Sequence, residues 1–388
     1  MSVTSPRGFT AAGVTAGLKP SGTPDLALVL NTGPHRAAAG VFTSNRVQAA
    51  PVVWSRQVLT DRSLQAVILN SGGANACTGP DGFADTHHTA EQVAAALQSA
   101  GHDTGAIDVA VCSTGLIGVR LPMDKITAAI PGLVDGLAVE GGAAAARAIM
   151  TTDTVVKQAT VVRDGWSVGG MAKGAAMLAP GLATMLVVIT TDAVVDPAGL
   201  HDQLLAATAV SFDRVDSDGC MSTNDTVLVL SSGASGVTPE PAALTTALTE
   251  VCTDLALQLV ADAEGSSHTI TIDVVNAASV VDAVEVGKSI ARNNLFKCAV
   301  FGNDPNWGRV LSAVGTTTAA FEPDRLDVSF NGVQVCRSGG IGEPRELVDL
   351  TGREVSVVVD LHAGDRQARV WTTDLTYDYV RENAEYST

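Results

Sequence analysis

Short apolar runs rich in Val and Ile recur along the chain, and they constrain its fold more than any other feature. Ala66-Val-Ile-Leu-Asn70, Ile107-Asp-Val-Ala-Val-Cys112 and Met185-Leu-Val-Val-Ile-Thr190 are of this kind. So are Thr226-Val-Leu-Val-Leu230, Ile270-Thr-Ile-Asp-Val274 and Val355-Ser-Val-Val-Val-Asp360. β-Branched runs of this length read as buried strands. Ala-rich stretches at 86–99, 197–211, 241–264 and 280–293 read as helices. In the first, polar residues lead into apolar spacings of three and four. Asp196-Pro197, ahead of the second, has the form of a cap followed by proline in the first turn. Strands and helices do not alternate strictly, so a doubly wound sheet is not required. An α+β layered sandwich fits at least as well. The 388 residues suit two or three units of ~150 residues, or one large domain. No repeat or low-complexity linker divides them. Aromatic residues are only 4%, so Ala, Val, Leu and Ile must build the core.

The charge balance narrows the function. Lys and Arg number 24 against 41 Asp and Glu, a net charge of −17. A nucleic-acid binder needs a basic face, and an anionic membrane attracts basic segments. Neither partner is expected. No apolar run reaches the ~18 residues of a membrane span, and the stretch 178–190 is shorter and contains Pro and Thr. The first 19 residues lack an apolar core of signal-peptide type. The six cysteines are dispersed without a CxxC pair, which suggests buried reduced thiols in a soluble cytoplasmic protein.

Several attractive motifs fail on their own terms. Gly287-Lys-Ser289 resembles the end of a phosphate-binding loop, but position 282, where its first glycine belongs, is Asp. No G-x-G-x-x-G occurs, so a dinucleotide fold has no support. His87 and His88 point to different faces of a helix, and no HExxH accompanies them, so no metal is expected. Gly165-Trp-Ser-Val-Gly169 has the G-x-S-x-G form. A nucleophile elbow needs a strand before its serine and a helix after it. Here 154–162 reads as a strand, Asp164-Gly165 as a hairpin turn and Ser167 as part of the returning strand.

Four segments combine glycine and small polar residues beside strands: 70–79, 112–118, 169–186 and 302–309. Each could be a tight turn. Each could equally present backbone N–H groups to a ligand, as an oxyanion hole requires. The third carries Lys173, then a Pro180-Gly181 turn, then Leu182-Ala183-Thr184 opening a strand. A threonine there is an ordinary β-former. It is also a candidate nucleophile, because a free α-amine on the same residue can act as its base. That amine, with a pKa near ~7.7–8.0, exists only if the Ala183–Thr184 bond is cut.

Lys173-Gly-Ala-Ala-Met-Leu-Ala-Pro-Gly-Leu-Ala-Thr-Met-Leu186 resembles the self-cleavage segment of glutamate N-acetyltransferase, also called ornithine acetyltransferase. The likeness extends through Arg7-Gly-Phe-Thr-Ala-Ala-Gly13, Ala38-Ala-Gly-Val-Phe-Thr43 and Ala148-Ile-Met-Thr-Thr-Asp153. It continues through Ser222-Thr-Asn-Asp-Thr226, Asp262-Ala-Glu-Gly265, Asp304-Pro-Asn-Trp-Gly-Arg309 and Tyr379-Val-Arg-Glu-Asn-Ala-Glu-Tyr386. The resemblance implies an αββα-type sandwich like that of the amino-terminal-nucleophile hydrolases. It implies cleavage between Ala183 and Thr184 into an α piece, 1–183, and a β piece, 184–388, assembled as a heterotetramer of two α and two β. Thr184 matches the nucleophile, and Thr114 with Gly115 the oxyanion hole. Lys173, Thr184, Glu264, Asn383, Thr388 and either Thr151 or Thr152, with Thr151 favoured, match substrate-binding positions. One position departs from the family pattern: His268 stands where a lysine is usual, which makes charge at that site pH-dependent if an acid lies beside it.

The implied reaction moves acetyl from N2-acetyl-L-ornithine to L-glutamate through acetyl-Thr184, without metal or cofactor, in arginine biosynthesis. Some members of the family also accept acetyl-CoA. The competing reading is a self-processing aminopeptidase or amidase of similar fold, which would pass the acyl group to water.

Overall fold

The computed structural model of the chain describes residues 2–177 and 185–385. Among these, three sheets carry the architecture. The first has the order β1 (Phe9–Val14), β2 (Leu26–Asn31), β4 (Ala66–Asn70), β5 (Val109–Ser113). The second has the order β3 (Ala38–Phe42), β9 (Thr226–Ser231), β8 (Leu186–Thr191), β7 (Trp166–Lys173), β6 (Lys157–Arg163). The third has the order β13 (Gly340–Ile341), β12 (Val333–Arg337), β11 (Asp327–Phe330), β14 (Glu354–Asp360), β10 (Thr269–Ala277), β15 (Arg366–Thr373).

Alternation along the second sheet explains the layering. Met171, Leu186, Val188, Leu228 and Leu230 face the core of the first sheet, which helices Gly79–Ser99 and Met123–Asp135 share. Their neighbours Val187, Ile189, Val227 and Val229 point the other way, against helices Pro197–Ala209 and Pro241–Ala261. Successive side chains of a strand alternate between faces, so a strand apolar throughout must be covered on both. The result is helix, sheet, sheet, helix, the α+β sandwich expected. The third sheet has its own core with helices Val280–Ala291, Asn294–Phe301 and Trp307–Val314. Trp371 of β15 ties it to the second core.

All six runs read as strands form strands; β8 starts one residue late and β5 two, the latter because Ala106–Asp108 makes a helical turn first. Helix Gly79–Ser99 begins seven residues before position 86 because Gly79-Pro80 supply its first turn. Asp196 caps the next helix as expected, accepting from the N–H groups of Ala198 and Gly199 at 3.2 Å each. Helix Pro241–Ala261 ends before Asp262 rather than at 264, which releases Glu264 from the helix. That helix is long and apolar enough to cross a membrane, yet Leu244, Leu248, Val251, Leu255, Leu259 and Val260 are buried in the core. Asp164 and Gly165 turn β6 into β7, and buried Ser167 lies within β7, as the strand–turn–strand reading requires.

The expected Ala183–Thr184 cut falls between β7 and β8, which are antiparallel neighbours from Val168↔Thr191 to Lys173↔Leu186. The pieces 1–183 and 184–388 would therefore share one sheet: β3, β6 and β7 from the first, β8 and β9 from the second. A chain broken within 178–184 is thus expected to elute as one species from a sizing column in native buffer and to separate only in denaturant. Separate elution of the halves in native buffer contradicts the shared sheet.

Candidate active site

The loops after β4 and β5 leave the same end of the first sheet because these strands are parallel. They are stitched together by Gly73 N–H to Thr114 O at 3.0 Å and Ala74 N–H to Leu116 O at 3.1 Å. Gly115 sits in this seam at φ +129, and a Cβ there would lie 2.8 Å from Gly73 N. Only glycine fits both the backbone angle and the close approach. Among the described residues nothing accepts from the Gly115 N–H.

Lys173, the last residue of β7, enters from the second sheet. The residue is 2% exposed and its Nζ lies 3.1 Å from Thr114 Oγ1. An ammonium donates and cannot accept, so the Thr114 oxygen is the acceptor and its own O–H remains free to donate elsewhere. Thr114 O–H and Gly115 N–H are thus two donors at one place. Burial pulls the Lys173 pKa down, with Lys157 adding repulsion, while Asp153, Asp225 and Glu264 oppose the shift.

The pocket around these groups is lined by Ala74, Thr114, Gly115 and Ile117 from the first sheet, and by Lys173, Ala176 and Met177 beyond β7. Thr151, Thr152, Ser222, Asn224 and Glu264 complete it. Both threonines, 151 and 152, face the pocket. Thr151 is pinned by Asp153 Oδ2, which accepts its N–H at 2.9 Å. Glu264 follows the helix end, its N–H bonded to Ala175 O at 2.9 Å. Asn383 Nδ2 donates to Glu264 Oε2 at 3.0 Å, which brings helix Tyr377–Glu385 to the site. Gly265 makes this approach possible: at φ +59, a Cβ would lie 2.2 Å from Tyr379 N. An adjoining cleft carries Asp262, Asp378 and Glu382 beside Glu264, with Arg353 among its lining residues. Ala183, Thr184 and Thr388 lie outside the described residues.

Some participants were not read from the sequence. Lys157, fully buried at the start of β6, bridges Asp153 Oδ1 and Asp262 Oδ2 at 2.6 Å each. Asp153 also accepts the Gly174 N–H at 2.7 Å, so this buried cation links the Thr151, Lys173 and Glu264 walls. A lone lysine in an alternating strand carries no sequence signal of burial. Asn224 Nδ2 donates to Ala74 O at 2.6 Å and Ser113 O at 2.8 Å, holding both first-sheet loops. The fourth glycine-containing segment is not in the pocket. Asn306 there caps helix Trp307–Val314 through the Arg309 N–H, so it is a helix junction. His268 is also outside the pocket, buried with Nδ1 2.7 Å from Asp374 Oδ2 and Nε2 2.9 Å from Leu350 O.

Two convergent donors, a buried cation and a carboxylate around one pocket are parts that acyl transfer between amino acids can use. The profile of the ArgJ family matches residues 10–388. The chain belongs to the ArgJ family. It is 66% identical over 387 residues to the arginine biosynthesis bifunctional protein ArgJ of Streptomyces coelicolor, covering 100% of both chains. It is 60% identical over 389 residues to that of Mycobacterium leprae, covering 99% of this chain and 95% of the relative. Among solved structures it is similar to the ornithine acetyltransferase of Mycobacterium tuberculosis complexed with ornithine. That match is 63% identical, covers 48% of this chain and 96% of that chain, and has a TM-score of 0.46.

The Lys157 bridge has a measurable consequence. Lys157→Met leaves Asp153 and Asp262 without their shared cation, and a loss of about 3–5 kcal/mol is expected in chemical denaturation at neutral pH. Burial alone would push Asp153 up, but Lys173, Lys157 and the Gly174 N–H outweigh it and hold the carboxyl below its usual range. A carboxylate depressed in the fold contributes stability above its unfolded pKa of ~3.9 and loses it as pH falls through the lower folded value. The Asp153 contribution, measured as the stability difference between wild type and Asp153→Asn, should be constant down to pH ~4 and decline below it. A difference that already shrinks between pH 8 and 6 contradicts this assignment.

Proposed function

We propose that this chain transfers an acetyl group from N2-acetyl-L-ornithine to L-glutamate, giving L-ornithine and N-acetyl-L-glutamate in arginine biosynthesis. The observation that carries the reading is the convergence of Thr114, Gly115, Lys173 and Glu264 on one pocket, in a chain of the ArgJ family.

In the proposed mechanism the chain first cuts itself. Thr184 Oγ1 attacks the Ala183 carbonyl carbon, the C–N bond breaks as the nitrogen takes the proton, and an ester forms. Water hydrolyses that ester, leaving an Ala183 carboxylate and a Thr184 with free amine and hydroxyl. The amine then serves as base when Thr184 Oγ1 attacks the acetyl carbonyl of N-acetylornithine. The Thr114 O–H and Gly115 N–H are the donors for the tetrahedral oxygen. The proton passes to the departing α-nitrogen of ornithine, and acetyl rests on Thr184. The α-amine of glutamate attacks that ester and leaves acetylated.

Specificity follows from charge. Lys173 and Thr151 or Thr152 are assigned to the α-carboxylate that both substrates share. Glu264, with Asn383 bonded to it and Thr388, is assigned to the ornithine ammonium. The proposal includes a cytoplasmic heterotetramer of two α and two β pieces. It includes acetyl-CoA as a second donor.

Three outcomes test the reading. A denaturing gel should show two roughly half-length bands, the C-terminal one beginning Thr-Met-Leu-Val. A fully active single chain contradicts the amine base. Initial-rate plots against both substrates should be parallel, the ping-pong pattern; release of acetate to water without glutamate acetylation favours an amidase. Glu264→Gln should lower kcat/KM for N-acetylornithine roughly ten- to a hundredfold, for about 1.5–3 kcal/mol of lost charge-assisted bonding. Its self-cleavage should continue, because the cut does not involve the ornithine ammonium.

A further inference from the structure

The turn before β9 touches both halves of the proposed chemistry through two consecutive residues. Asn224 grips the loops that carry the oxyanion donors, through Ala74 O and Ser113 O at 2.6 and 2.8 Å. Asp225, next in the chain, accepts the Met185 N–H on Oδ1 at 3.1 Å. Its other oxygen accepts the Ser222 N–H at 3.0 Å, closing the turn on itself. The Met185 nitrogen is bonded to the carbonyl carbon of Thr184, and a peptide unit is planar. Holding that N–H anchors Met185, the residue covalently next to the expected nucleophile.

We infer that Asn224 and Asp225 are positioning residues that couple Met185, the neighbour of the expected nucleophile, to the loops that carry Thr114 and Gly115. This rests on Thr184 being the nucleophile. Asp225 is wholly buried, and burial raises its pKa well above the usual carboxylate range. A buried carboxyl is a costly way to accept an N–H, which sets this side chain apart from an ordinary turn-former. The loop also holds the other flank: Asp218 Oδ2 accepts the Met177 N–H at 2.7 Å. Both residues that border 178–184 thus bond to one loop. After a cut at 183–184, Asp218 and Met177 would lie on different pieces.

The test uses the full-length chain, and reads self-cleavage rate, kcat, KM and melting temperature together. Asp192 is the control. It is a buried acid after β8 whose carboxylate accepts the Ser167 N–H at 2.7 Å, and it does not line the pocket. Asp225→Ala should slow cleavage and lower kcat by roughly tenfold or more, the scale of a small misplacement of reacting groups. KM for N-acetylornithine should stay within about twofold. Asp225→Asn, which keeps an acceptor for Met185, should recover part of the rate. Asp192→Ala should lower the melting temperature and leave cleavage and kcat near wild type. If Asp225→Ala does not accumulate, Asn224→Ala severs the same link at its other end and is read the same way. Wild-type rates in the accumulating variant overturn the inference, as does an Asp192→Ala chain that loses kcat equally. A wild type that neither cuts itself nor transfers acetyl overturns the reading of Thr184, and this inference with it. A wild type that does both isolates the result to Asn224 and Asp225.

Discussion

The contact between Lys173 and Thr114 joins the two sheets of the sandwich at the point where chemistry is proposed. Lys173 ends β7 of the second sheet, and Thr114 follows β5 of the first; their side chains meet at 3.1 Å. Burying an ammonium carries a large desolvation cost unless acids and acceptors surround it. Asp153, Asp225 and Glu264 supply that field, and of these Glu264 lines the pocket. The site is therefore organised around one cation rather than around one loop. The same contact orients Thr114, because the lysine occupies the hydroxyl oxygen and leaves its proton for another partner.

Much of this arrangement was visible in the sequence, for identifiable reasons. β4, β5, β8, β9, β10 and β14 were legible because a run of β-branched residues admits few alternatives at that length. β15 was not, since Arg366-Gln-Ala-Arg-Val-Trp-Thr-Thr373 mixes polar and apolar residues at an amphipathic surface. β1 and β2 pair as a small antiparallel unit, but the stretch 15–25 that joins them is too long to read as a hairpin turn. The pocket residues Thr114, Gly115, Lys173 and Glu264 were accessible through family resemblance. Their convergence was not, because it depends on the parallel pairing of β4 with β5 and on the early end of helix Pro241–Ala261. Lys157, Asn224 and Asp225 were missed as site residues. Each acts by holding other residues, and only coordinates show which carbonyls and carboxylates they reach.

The position of the expected cut gains meaning from the topology. A break between adjacent antiparallel strands removes one connection and leaves the hydrogen-bonded ladder intact. The first sheet lies wholly in the N-terminal piece and the third wholly in the C-terminal one, while the second is shared. Cleavage could thus free an amine at Thr184 without disturbing either flanking core. Asp218 and Asp225, gripping Met177 and Met185, would keep the borders of the segment in register.

The central claim is that acetyl passes through Thr184. Incubating the protein with N-acetyl-L-ornithine alone, quenching in acid and mapping the C-terminal piece by mass spectrometry tests it most directly. The expected result is a single added acetyl group on the peptide that begins at Thr184, removed when glutamate is supplied. An unmodified Thr184 in protein that is turning over, or an acetyl group on another residue that disappears with glutamate, would contradict it.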